Sequence, residues 1–182
     1  MILIHIPKTA GQSFLYSSKA RSFFHQPLKS LTNEQTAGQT IVTTTRNPYD
    51  RAASIHYYLR QLHSNAPFET GNFYTDINFF WHKIHAENRI STTYLRPQMH
   101  FLSEPNNVGV SDRINHILRF ESLEADYALL AKLHNLNVLK KRNVSKYRPS
   151  TPWQDELTEE SIAKIGELYA EDFERLNYER LI

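Results

Sequence analysis

The segment ILIHIPKTAGQS, residues 2–13, joins a short apolar run to a turn of small residues. β-Branched side chains dominate Ile2 to Ile6, and Pro7 ends the run, which is typical of a buried parallel strand. The turn contains Gly11, and a helix is predicted from there to about residue 20. The segment therefore predicts a strand that passes through a tight turn directly into a helix.

A second strand-to-helix junction lies in TIVTTTRNPYDR, residues 40–51. Its first half is β-branched throughout and predicts another strand. Asn47 is a favourable N-cap, Pro48 suits the first helical position, and Asp50 complements the positive end of the helix dipole. We expect this helix to continue to about His63.

The rest of the chain adds helices and one later strand. Residues 114–120 resemble a strand, and helices are predicted at 76–88 and 122–134. Apolar residues recur at three- and four-residue steps through 158–176, which predicts one continuous helix. Strands that alternate with helices predict an α/β fold in three layers, with a central parallel β-sheet flanked by helices, as a single domain over residues 1–182.

The composition is typical of a folded, soluble protein: 40% of the residues are hydrophobic and 22% are charged. A net charge of +2 gives no support to nucleic-acid binding. The absence of cysteine excludes disulfides, thiolate metal sites and cysteine nucleophiles. No apolar run reaches the roughly 20 residues of a membrane span, and no signal peptide is recognised. We therefore expect a cytoplasmic protein if Met1 is the native start.

The turn after the first strand has the groups that bind a phosphate. Backbone N–H groups of a glycine-containing turn and of a helix N-terminus favour an anion. Lys8 adds a mobile positive charge, and Thr9 and Ser13 add hydroxyl donors. The pattern G-x-x-x-x-G-K-[ST] is absent, which disfavours hydrolysis of a nucleotide with magnesium. The alternative is a plain surface turn with an exposed lysine.

Arg46 stands at the end of the second strand, where open α/β sheets bind ligands. A guanidinium can hold a phosphate through two parallel hydrogen bonds. Ser54 follows one turn after Asp50, so its hydroxyl can face the same side of the helix. In the alternative interpretation Asn47 is only a helix cap and Arg46 a surface ion-pair partner. Two such junctions on one sheet favour anion binding.

These segments resemble those of a known family. HIPKTAGQSF (5–14) is similar to the 5′-phosphosulfate-binding loop of sulfotransferases of the heparan sulfate 2-O-sulfotransferase and related carbohydrate type. TTTRNPYDRAAS (43–54) is similar to their 3′-phosphate-binding element, and shorter likenesses follow at 96–98, 118–124 and 169–173. The resemblance implies a P-loop-like fold and transfer of a sulfuryl group from 3′-phosphoadenosine 5′-phosphosulfate (PAPS) to a hydroxyl. It implies PAP as the product and no metal.

The resemblance also implies roles for individual residues. Arg46 and Ser54 bind the 3′-phosphate, the group that distinguishes PAPS from ATP. Lys146 and Arg148, a looser match, close over the nucleotide. Lys8 also acts in catalysis by stabilising charge on the leaving phosphate. The residues that bind the 5′-phosphosulfate are Lys8, Thr9, Ala10, Gly11, Gln12 and Ser13.

A base must take the proton of the acceptor hydroxyl, and histidine titrates near neutral pH. We predict His25 as this catalytic base, because similar enzymes carry a basic histidine in the corresponding segment. His100 is the reserve candidate, and His5 is expected to support the loop or pack on the sheet. His82 and His85 are one turn apart, but no third ligand has suitable spacing, so no metal is predicted.

The expected acceptor is a glycan or a small molecule, with no nucleic-acid partner and no membrane span. The sequence leaves its identity and the oligomeric state open. The aromatic residues of segment 68–81 either stack on a sugar or belong to the core. Two other functions remain: a P-loop kinase, disfavoured because no clear acidic residue for magnesium follows a strand, and a non-catalytic module that binds PAP or phosphate.

Overall fold

The structure is a computed structural model, and it describes residues 1–62, 92–106, 109–142 and 152–181. Two compact units form: a first unit of Met1–Arg46 with Pro97–Val144, and a second unit of Asn47–Arg96 with Ser145–Ile182. Compact units occur within single domains as well as between domains, so one domain over residues 1–182 stays a prediction.

Several predictions concern residues outside the described ranges. They are the helix at 76–88, the aromatic segment 68–81, the pair His82 and His85, and the two cations Lys146 and Arg148.

Within the described ranges, four strands of the first unit form one sheet. They are β1 (Ile2–Ile4), β2 (Arg21–Ser22), β3 (Ile41–Thr45) and β4 (His116–Arg119). Their order across the sheet is β2-β1-β3-β4, and each neighbouring pair is parallel. β1 and β3 are buried along their whole length, as expected for parallel strands covered on both faces. The central parallel sheet flanked by helices confirms the predicted α/β class. The short β2 was not predicted.

The helices of the described residues are α1 (Gly11–Ser18), α2 (Asn33–Thr36), α3 (Pro48–Leu62), α4 (Thr92–Leu95), α5 (Met99–Leu102), α6 (Leu123–His134), α7 (Trp153–Glu156), α8 (Glu159–Leu168) and α9 (Ala170–Arg175). Short 3₁₀ turns lie at Leu28–Ser30 and Phe120–Ser122. α3 begins as predicted, because the side-chain oxygen of Asn47 accepts hydrogen bonds from the backbone N–H groups of Tyr49 (2.9 Å) and Asp50 (3.4 Å). None of the described helices is both long and apolar enough to cross a membrane.

The single helix predicted for residues 158–176 is wrong, because the chain breaks between α8 and α9 at Tyr169. This residue has φ −116° and ψ 25°, outside the helical range. Its hydroxyl is buried and donates a hydrogen bond to the carbonyl of Leu95 (3.0 Å). The apolar stripe itself is real, since Ile165, Tyr169 and Phe173 all belong to the core of the second unit. The three- and four-residue spacing of apolar residues continues through Tyr169, so the spacing alone does not indicate that the helix breaks there.

Helices α1 and α6 pack against the sheet in the core of the first unit. Phe14 of α1 and Tyr127 of α6 meet edge to face, with ring centroids 5.6 Å apart. They share a hydrophobic cluster with Leu3, Val42 and Leu118 from three of the strands. Each buried side chain of this size contributes roughly 2–3 kcal/mol to the free energy of unfolding.

The order of the strands reverses direction between β1 and β3. α1 connects β1 to β2 on one side, and the chain then returns to the opposite side of β1 as β3. In open parallel sheets, the crevice at the carboxyl ends of two such strands is where ligands bind. Ile4, the last residue of β1, lies opposite Thr43, and β3 continues from there to Thr45. The two predicted anion-binding junctions begin at this position.

Candidate functional site

The first loop, residues 5–13, has an unusual backbone. Lys8 and Ala10 adopt left-handed conformations, with φ of 68° and 72°. This conformation costs a residue with a Cβ about 1–2 kcal/mol, and such residues concentrate at binding sites. Ala10 precedes α1 and makes no side-chain cap. The loop therefore places strained backbone directly before the N-terminus of an eight-residue helix.

Gly11 is present because another side chain approaches it closely. A Cβ at this position would collide with Cδ2 and Nε2 of the His5 ring and would lie 3.0 Å from its Cγ. His5 is only 7% exposed, so its ring has little room to move away. From the sequence, Gly11 was interpreted as part of a phosphate-binding turn. The structure gives it a steric role against His5.

The hydroxyls of Thr9 and Ser13 take part in hydrogen bonds within the fold. Thr9 Oγ1 donates to the carbonyl of Ile6 (2.9 Å) and lies 2.8 Å from Thr44 Oγ1. Ser13 Oγ accepts from the backbone N–H of Arg142 (2.9 Å) and donates to its carbonyl (3.3 Å). Both residues are buried, whereas Gln12 is exposed on α1. Their role as anion ligands stays a prediction, and the two hydroxyls have internal partners that an anion would have to replace.

Arg46 connects the end of β3 to the first loop. Its Nη1 donates a hydrogen bond to the carbonyl of Lys8 (3.1 Å), and its guanidinium lies 3.8 Å from the centroid of the Phe120 ring. Both contacts suit a cation, because a carbonyl oxygen and an aromatic face each carry partial negative charge. Arg46 is 7% exposed. The structure thus brings together Lys8 and Arg46, which the sequence placed on separate junctions.

Gln98 fixes the backbone of Arg46 and was missed as a site residue. The backbone N–H of Arg46 donates to Gln98 Oε1 (2.9 Å), and Gln98 Nε2 donates to the carbonyl of Arg46 (2.8 Å). The amide of Gln98 is fully buried and pairs with both backbone polar groups of a single residue, Arg46. No local pattern reveals this pairing, because 52 positions of sequence separate the two residues.

Ser54 belongs to the second unit and Arg46 to the first. Ser54 lies within α3 and is buried. Its joint assignment with Arg46 to one phosphate stays a prediction.

His25 contacts His5 in two ways. His25 Nδ1 lies 2.8 Å from the backbone carbonyl of His5, and the centroids of the two rings are 4.4 Å apart with planes tilted by 50°. A carbonyl oxygen only accepts, so Nδ1 of His25 carries the proton in this bond. In the neutral ring Nε2 is then the basic nitrogen. The contact connects the predicted base to the first loop.

The reserve candidate His100 lies on α5, where its ring meets that of Phe101 edge to face at 5.2 Å. His25 as the base and His100 as the reserve candidate stay predictions. Within the described ranges, no three His, Asp or Glu side chains form a cluster that would hold a metal ion.

His5 itself is kept uncharged at neutral pH. Burial, together with the neighbouring His25, lowers the pKa of His5 from 6.5 to about 4. Removing an imidazolium from water is unfavourable, so the folded protein binds this proton less readily than the unfolded chain does.

The pKa of His5 predicts an acid-sensitive contribution to stability. The contribution is complete above about pH 6.5 and is lost as the pH falls from 6.5 toward 4, because the unfolded chain binds the proton first. It amounts to roughly 3 kcal/mol in all. Urea unfolding at several pH values should show this slope in the parent and a shallower slope in His5→Leu, which has no titrating ring. Equal slopes in the two proteins would contradict the prediction.

Comparison with known proteins identifies no family for this chain. No family model, no curated protein and no solved structure matches the chain. The candidate site therefore rests on two contacts, that of Arg46 with the Lys8 carbonyl and that of His25 with His5.

Proposed function

We propose that this chain is a PAPS-dependent sulfotransferase that transfers a sulfuryl group to a hydroxyl, with a carbohydrate as the first acceptor class to test. One observation carries the proposal: Arg46 Nη1 donates to the carbonyl of Lys8 at the reversal of strand order. The two segments that resemble the 5′-phosphosulfate and 3′-phosphate elements therefore meet. A donor with phosphate groups at both ends needs such an arrangement.

The proposed donor site uses backbone and cationic groups. In the first loop, Lys8 and the N–H groups around Ala10 and Gly11 would hold the 5′-phosphosulfate, with Gln12 on the exposed side of the helix start. The guanidinium of Arg46 would hold the 3′-phosphate. A guanidinium has five N–H donors, so its bond to the Lys8 carbonyl is compatible with a second bond to a phosphate.

The proposed chemistry is an in-line displacement at sulfur, by analogy with phosphoryl transfer. The acceptor oxygen bonds to sulfur while the bond from sulfur to the leaving phosphate oxygen breaks. His25 takes the acceptor proton at Nε2, and its Nδ1–H stays bonded to the His5 carbonyl. Lys8 stabilises the negative charge that develops on the leaving phosphate.

Lys8→Ala is expected to lower kcat roughly ten- to hundredfold, because a charge-assisted contact to the leaving group contributes about 1–3 kcal/mol. The measurement is transfer of labelled sulfate from PAPS to a panel of glycans and small hydroxyl compounds. Lys132→Ala is the matched control: this lysine is exposed on α6, and its removal should change kcat less than twofold.

Binding and transfer are measured separately, so each outcome identifies one function. Calorimetry with PAP is expected to show binding that Arg46→Ala weakens. PAP binding without transfer to any acceptor would favour the non-catalytic module. That alternative gains support from the internal hydrogen bonds of Thr9 and Ser13. Transfer of phosphate from ATP would favour a kinase, and failure to bind PAP would overturn the donor site.

A further inference from the structure

We propose that His5 is a positioning residue that holds the ring of His25 against the first loop, an inference that builds on the proposed function. His5 touches neither donor nor acceptor in this proposal. Its role is to fix the orientation and the tautomer of the base.

His5 holds His25 at two points. Its backbone carbonyl accepts the hydrogen bond from His25 Nδ1 at 2.8 Å, which fixes the position of Nδ1. Its imidazole packs on the His25 ring at a centroid distance of 4.4 Å, which limits rotation about that bond. A hydrogen bond alone would leave this rotation open. The two contacts together fix where Nε2 points.

The ring of His5 also contacts Gly11 in the first loop. Cδ2 and Nε2 of His5 approach Gly11 so closely that no Cβ fits between them. Gly11 is the first residue of α1, whose N-terminus is the proposed donor site. The His5 ring therefore contacts both the first residue of α1 and the ring of the predicted base.

The neutral state of His5 suits this role. A second positive charge 4.4 Å from His25 would oppose the proton that His25 takes from the acceptor. Because His5 is buried and uncharged at neutral pH, the contact can persist when His25 becomes protonated.

The test follows the tautomer of His25 by ¹⁵N NMR in the ligand-free protein at a pH where the ring is neutral. We expect the Nδ1–H form to dominate in the parent. In His5→Ala the backbone carbonyl stays but the packing is lost, so the population should shift toward the Nε2–H form that free imidazole side chains prefer. kcat should fall about tenfold or more through misorientation of the base, while the Kd for PAP changes less than about twofold.

Gly11→Ala provides a second, independent perturbation. Its added methyl group should push the His5 ring and shift the His25 tautomer in the same direction, because the His5 ring contacts both Gly11 and His25. In the His5→Ala background, Gly11→Ala should have no further effect on the tautomer. An unchanged Nδ1–H population in both single variants would overturn the positioning role. This result is distinguishable from failure of the proposed function, because the tautomer is measured without donor, acceptor or turnover.

Discussion

Replacing Arg51 by methionine is expected to lower the free energy of unfolding by about 3–5 kcal/mol, the range for removing one partner from a buried charge pair. Arg51 is completely buried in the second unit. Its Nη2 donates to the carbonyls of Tyr94 (3.0 Å) and Arg96 (2.9 Å). Burial lowers the pKa of Arg51, and the charge of the buried Asp172 opposes that change. Methionine fills much of the same volume but leaves two carbonyls and one carboxylate without this cation.

Urea unfolding measures the loss, with Arg175→Met as the matched control. Arg175 lies in the same unit, pairs with Glu174 at 3.4 Å and keeps 39% of its side chain exposed, so its replacement should cost less than about 0.5 kcal/mol. Asp172→Asn should destabilise the parent but cost little in the Arg51→Met background, since no buried positive charge then needs balancing. Additive losses in the double variant would show that the two charges act independently.

Local signals in the sequence were sufficient to predict the α/β class, three of the four described strands and the start of α3. β3 follows from a run of five β-branched residues, and the start of α3 follows from Asn47 and Pro48, whose side chains act on the next turn of backbone. The α/β class required only the alternation of such elements. Each of these features depends on residues within a few positions of one another, which is the range over which sequence patterns are informative.

The hydrogen bonds within the candidate site join residues that are far apart in the sequence. Residue types showed that Thr9 and Ser13 carry donors, but not that Thr44 and the backbone of Arg142 engage them. Gly11 was interpreted as part of a phosphate-binding turn, but the sequence did not indicate that the positive φ angles fall on Lys8 and Ala10. The partners of the loop side chains are residues from elsewhere in the chain, which a local sequence pattern does not indicate.

Gln98 is the clearest case of a contact that the sequence does not reveal, and Gln98→Leu is expected to cost about 2–6 kcal/mol. The substitution leaves the N–H and the C=O of Arg46 buried without the amide that pairs with both, at about 1–3 kcal/mol for each group. The end of β3 should loosen, so the guanidinium of Arg46 would no longer be held beside Lys8. Calorimetry should therefore show weaker PAP binding than in the parent. Urea unfolding measures the stability.

Gln98→Glu tests the same pairing through its pH dependence. A carboxylate accepts the N–H of Arg46 but repels its carbonyl, whereas the protonated acid can donate to that carbonyl as the amide does. The pKa of the substituted carboxyl should therefore rise on folding, above the value of about 4.3 in the unfolded chain. The folded variant then binds the proton more readily, so its deficit relative to the parent should shrink as the pH falls from neutral toward 4.3. A stability deficit that stays constant over this pH range would show that the hydrogen bond from Gln98 Nε2 to the Arg46 carbonyl contributes nothing. The orientation of Arg46 would then depend on its contacts with Lys8 and Phe120.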